Sequence, residues 1–199
     1  MDFLTHLWLP ILVSAALVWF ASCLAWMLIG HHKKDWKGVP NEEEFIATIK
    51  RMGIPSGNYG FPEFRRCEGL SQEEKKAKWE AMQKNPMGLL RVWGPISMGR
   101  NMLLTFLVYL IVSVLVAYLG WNALPHGGVS VAGLAATVRP DFGKVMQVLG
   151  TAGILAYCFA SLPNDIWFQK SGREVLMNLI DGVVFGLITG AVFGWLWPA

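Results

Sequence analysis

Charge is what this sequence has least of: 16% of its 199 residues are Asp, Glu, Lys or Arg, against 54% hydrophobic ones. With a mean hydropathy of +0.41, that scarcity sets the chain apart from ordinary soluble domains. A formal net charge of +3 is too small to argue for a nucleic-acid partner. Cysteine is sparse as well. Cys23 and Cys158 fall inside apolar runs and Cys67 in a charged segment, and without a CxxC pair or metal-ligand spacing they make neither a disulfide framework nor a zinc module. Internal repeats, a P-loop, HExxH, GxSxG and a well-placed GxGxxG are all missing, so the sequence points to no catalytic residue, no cofactor and no metal.

The charges that do exist are crowded together. Thirteen of the seventeen Lys and Arg lie between residues 31 and 100, and long stretches elsewhere are nearly uncharged. Lipid imposes such segregation, because a helix needs about 20 apolar residues to cross the hydrocarbon. The expected fold is an all-α membrane protein with four transmembrane helices, at 7–30, 101–121, 145–162 and 175–197. A small, mostly helical cytoplasmic insertion, 31–100, separates helices 1 and 2. The first run is longer than the apolar core of a signal peptide, and its positive charges follow it, so it reads as an uncleaved span. Pro163 is expected to end the third.

Orientation follows from the basic residues. Placing 31–100 and the turn 163–174 inside puts fifteen Lys and Arg in the cytoplasm, against Arg139 and Lys144 in the outer loop 122–144. That arrangement implies a bacterial-type inner membrane with both termini outside the cytoplasm. Trp8, Trp121, Trp195 and Trp197 would form one interfacial belt, and Trp36, Trp93 and Trp167 the other.

Within the insertion, Asn41 with Glu44 and Ser71 with Glu74 read as helix-start pairs. Between those helices, "GIPSGNYGFPEF" reads as turns. Two short helices with few large apolar residues cannot bury a core of their own, so the segment needs the membrane, the bundle or a partner. The outer loop is mildly apolar from Val129 to Val138 and suits a short interfacial element.

The most specific pattern lies in "LIDGVVFGLITGAVFGW". Gly182, Gly186, Gly190 and Gly194 fall on one line of the fourth helix, where missing side chains let another backbone approach closely. Gly150 and Gly153, with Ala156 and Ala160, offer a matching strip on the third, and packing within the bundle is favoured over an oligomer interface. Asp181 stands beside this ridge, too deep for a short side chain to reach bulk water. Asn178 is its polar companion one turn away, and together they suit a helix clamp better than an ion path. His31, His32 and Asp35 read as a solvated interfacial group, since neighbouring histidines on a helix diverge and the adjacent lysines repel a cation. His6 and His126 are too shallow to hold a haem within the bilayer.

These features favour a structural or accessory subunit of a larger inner-membrane complex. Its partners would be the lipid bilayer and other membrane-protein subunits, with no nucleic acid. One alternative is a small proton or cation channel or transporter using Asp181. Another is a membrane enzyme acting on lipid or quinone at the cytoplasmic face through Asp165, Lys170 and Arg173.

Overall fold

The structure is a computed structural model that describes residues 2–63, 69–126, 128–131, 134–137 and 139–198; Cys67 lies outside them. Among the described residues four helices are long and apolar enough to cross a membrane: α1 (Asp2–Ile29), α4 (Met98–Ala123), α5 (Phe142–Trp167) and α6 (Gly172–Leu196). The chain divides into two compact units. One is 1–37 with 98–199, and the other is 38–97.

In the helical unit α1 packs beside α4 and α6, while α5 packs along α6 and reaches α4 through its first half. Sequential helices run antiparallel, so the end of α1 and the start of α6 meet at one end of the bundle. Both termini lie at the other. An apolar cluster closes the terminal end, with Leu7, Ile11, Val116, Leu149 and Phe193 buried in it. The outer faces carry Leu12, Phe20, Leu107, Ile111, Leu155 and Leu187, all exposed, as expected of surfaces solvated by lipid.

The glycine line of α6 runs against α5. A Cβ on Gly182 would come within 2.6 Å of Cys158 Sγ, on Gly186 within 2.5 Å of the Ile154 backbone nitrogen, and on Gly190 within 2.7 Å of Gly150 Cα. On Gly194 it would meet the Phe142 ring at 2.6 Å, and on Gly153 it would lie 2.9 Å from Gly186 Cα. Facing α6, α5 winds loosely at Met146–Gly150 and Leu155–Phe159, with π-type hydrogen bonding.

Three sequence expectations change here. Pro163 does not stop α5 but stands in the first turn of a last helical stretch, Leu162–Trp167, where a missing N–H is harmless. Trp197 is buried and donates its indole N–H to the Pro125 carbonyl at 3.2 Å, leaving Trp8 and Trp195 exposed at that end. The outer loop forms a hairpin, β3 (Gly128–Val131) with β4 (Leu134–Thr137).

The second unit holds α2 (Glu42–Arg51), β1 (Gly57–Phe61), α3 (Gln72–Gln83) and β2 (Gly88–Val92). Where turns were expected, β1 pairs antiparallel with β2, Tyr59 opposite Leu90. Ladder hydrogen bonds to a strand some thirty residues away override the local glycines. Ser71 and Glu74 form a reciprocal cap on α3, with Ser71 N donating to Glu74 Oε2 at 2.8 Å and Glu74 N to Ser71 Oγ at 3.2 Å. Asn41 caps nothing: its backbone is left-handed, and its amide donates to Glu44. Among the described hydrophobic residues of this unit only Met82 is buried.

Candidate functional site

The inner face of α6 presents Asp181, Phe185, Thr189 and Phe193 at four-residue steps, so each sits about 6 Å further along the bundle. Each meets a layer of different chemistry. Phe193 belongs to the apolar seal at the terminal end. One step inward, Thr189 Oγ1 accepts from Ser14 at 3.2 Å and donates to the Phe185 carbonyl at 2.9 Å, while Ser113 donates to Ser14 at 3.3 Å. Phe185 packs edge-on with Tyr109 and Tyr157, and the Tyr157 hydroxyl is buried without a hydrogen-bond partner. Asp181 forms the fourth layer, and it is the chemically dense one.

At this end α1 finishes in a loosely wound turn, Leu24–Ile29, and Gly30 takes the left-handed conformation with φ +62°. Glycine suits that position because it has no Cβ to clash with the following carbonyl. The chain therefore turns off the α1 axis into a 3₁₀ turn, His31–Asp35, that leans across the start of α6. Both histidines then reach the same carboxylate. His32 Nε2 lies 3.0 Å from Asp181 Oδ2 and His31 Nε2 lies 3.0 Å from Oδ1. The two rings are 4.3 Å apart and tilted by 40°, and the indole of Trp26 stacks on His32 at 4.0 Å. His32 is only 2% exposed.

Asp35 and Arg173 hold the two histidines in place. His32 Nδ1 donates to Asp35 Oδ2 at 2.8 Å, and Asp35 also pairs with Arg173 Nη1. Arg173 Nη2 donates to the His31 carbonyl at 2.8 Å, pinning the 3₁₀ turn to α6. His32 is thus hydrogen-bonded at both ring nitrogens, through Nδ1 to Asp35 and through Nε2 to Asp181 Oδ2 at 3.0 Å. His31 Nε2 lies off the line along which a ring N–H donates and is buried without a hydrogen-bond partner. Two imidazole nitrogens and a carboxylate oxygen, all groups able to ligate a metal ion, thus lie within 4.8 Å of one another.

His31 and His32 are accordingly not a solvated interfacial pair. Divergence holds for neighbours on an α-helix, whereas the 3₁₀ turn after Gly30 brings both rings to α6. Asp181 has the two histidines as companions, and no hydrogen bond joins it to Asn178 among the described residues. Asp165, Lys170 and Arg173 do not form one site. Asp165 is 3% exposed and is held by Lys170 Nζ at 3.0 Å and Ser161 Oγ at 3.3 Å, and it does not line the apolar hollow made by Phe159, Leu162, Pro163, Ile166 and Trp167. Lys170 also reaches Glu174 at 3.3 Å. At the opposite end Trp121 stacks on His126 at 3.6 Å and approaches His6 at 5.2 Å, so those two histidines flank an indole.

Comparison of the chain with protein-family models, with curated proteins and with solved structures finds no match. The functional reading therefore rests on the geometry.

Proposed function

We propose that this multi-pass membrane protein is a cation-binding subunit whose working part is the His31–His32–Asp181 centre, open from one side of the membrane. The observation that carries this reading is the convergence of two imidazole nitrogens and a carboxylate, from two separate elements, within 4.8 Å of one another at a mostly buried point. A cation there would take all three as ligands and give the buried His31 Nε2 the partner it lacks. A binding centre fits better than a channel. Beyond Asp181 the interior passes from aromatic rings to three hydroxyls and then to an apolar layer around Phe193, which among the described residues closes the far end of the bundle. In the orientation that the basic residues favour, in a bacterial-type inner membrane, the centre opens to the cytoplasm.

Thermal unfolding of the detergent-solubilised protein against a panel of Na⁺, K⁺, Mg²⁺, Ca²⁺, Mn²⁺ and Zn²⁺ tests the proposal. At least one ion should raise the midpoint in the wild type and not in Asp181→Asn. Saturation at a hundred times the dissociation constant corresponds to about 2.7 kcal/mol. No shift with any ion would overturn it.

One further observation favours assembly with other membrane subunits. The unit 38–97 buries Met82 while Met87, Leu89 and Ile96 stay exposed, so a partner surface or lipid headgroups would complete it. Mild detergent extraction followed by mass spectrometry of co-purifying chains tests this; a chain that emerges alone at native expression would count against it.

A further inference from the structure

Resting on the reading of the centre as a cation site, we propose that the ion is a divalent first-row transition metal of the zinc class, bound by His31 Nε2, His32 Nε2 and a carboxylate oxygen of Asp181. These ligand atoms all lie within 4.8 Å of one another. The 3.0 Å separation of each imidazole nitrogen from the carboxylate is close to the edge of a coordination polyhedron with bonds of about 2.0–2.2 Å. Donor type decides the class. Calcium takes six to eight oxygen ligands, and magnesium keeps several waters on one or two carboxylates. Two imidazoles and one carboxylate suit zinc and its neighbours in the first transition row, with positions left for water or another ligand.

The surroundings match as well. A metal-bound histidine almost always donates its other ring N–H to a carboxylate or carbonyl, which fixes the tautomer. His32 does so to Asp35, whose side chain is 1% exposed, and Arg173 holds Asp35 in turn. The buried, unpartnered Nε2 of His31 gains a bond partner in the same step. Lys33 and Lys34 stay exposed, and their charges are screened by water. Trp26, which stacks on His32, also lines a cleft of about 290 Å³ between α1 and α4 with Cys23 and Tyr109, so an indole covers the His32 ring on that flank.

The full-length protein, purified in detergent with a tag free of histidine, is stripped with chelator and titrated with Co²⁺ as a spectroscopic stand-in, then with Zn²⁺. The wild type should develop visible d–d absorption saturating at one Co²⁺ per chain and lost again on adding Zn²⁺. Asp181→Asn and His32→Gln should abolish it. Asp35→Asn, which removes no ligand, should weaken binding about 10–100-fold, while Asn178→Ala should bind as the wild type does. Should the first two variants fail to fold, His31→Cys keeps the test open, since a thiolate ligand would add an intense charge-transfer band to the cobalt spectrum. Absence of Co²⁺ and Zn²⁺ binding, or binding that none of the ligand variants alters, overturns the assignment. If Mg²⁺, Ca²⁺ or an alkali ion stabilises the protein while Co²⁺ and Zn²⁺ do not bind, the metal class is wrong and the cation reading survives. If no cation binds, both fall.

Discussion

Single atoms decide the two tightest places in this molecule. At Gly186 there is no room for a Cβ, because the facing atoms are the backbone of Ile154 and backbone cannot swing aside. Gly186→Ala should therefore push α5 from α6, at a cost of about 1–3 kcal/mol, read as a lower unfolding midpoint in detergent. Gly172→Ala is the contrasting case: nothing lies within 4 Å of its Cβ position, and the change should be neutral or gain up to about 1 kcal/mol from reduced backbone freedom. Equal behaviour of the two variants would contradict the packing described. Gly30 is constrained by conformation instead of space. The nearest atom to its Cβ position is the flexible end of Lys33, yet φ +62° makes alanine unfavourable by about 1–2 kcal/mol. Because the turn it makes carries both histidines, Gly30→Ala should also weaken cation binding while Gly172→Ala does not.

At the scale of elements, α5 and α6 are joined at two ends by different physics. Along their length the joint is close backbone packing. At the connecting loop it is ionic: burial alone would lower the pKa of Lys170, but the hydrogen bonds and charges of Asp165 and Glu174 outweigh it and raise it above the ordinary value. A raised lysine stabilises the folded state fully below its ordinary pKa, near 10.5, and the contribution is lost as pH rises through the folded value. Thermal melts of the wild type should thus hold steady from pH 7 to 9 and fall in strongly alkaline buffer; Lys170→Met should start lower and lose that alkaline fall. The α1–α6 contact relies on the hydroxyls of Ser14 and Thr189. Such interhelical hydrogen bonds in membranes average about 0.6 kcal/mol, so Ser14→Ala should matter less than Gly186→Ala.

For the whole molecule the governing fact is its division into two units of unequal self-sufficiency. The helical unit has an apolar end, a polar end and exposed apolar flanks. The unit 38–97 has two strands, two helices and one buried apolar side chain among the described hydrophobic residues. A fragment of residues 38–97 should show no cooperative unfolding transition, since so small a core cannot offset the conformational entropy of some sixty residues; a sharp melt of that fragment would establish it as an independent domain. With Cys23 and Cys158 replaced, an impermeant thiol reagent should reach Cys67 only after cells are opened if the proposed orientation holds; labelling of intact cells would invert it.

Composition and periodicity alone determined the four apolar helices, the glycine line on the last of them and the reciprocal cap at Ser71 and Glu74. Each of these is local: it depends on residues within a few turns of one another, so the spacing in the chain is the spacing in space. What tertiary structure decided is whatever depends on distant segments. The pairing of β1 with β2 draws its hydrogen bonds from across α3, which no window on either strand contains. Asp181 looked accompanied by Asn178 alone because its histidine neighbours lie about 150 positions earlier, and His31 and His32 looked divergent because the helical geometry that would separate them ends at Gly30. A left-handed glycine, a 3₁₀ turn and the arginine that pins it bring two imidazoles to one carboxylate. The centre exists only because α1 ends beside the start of α6.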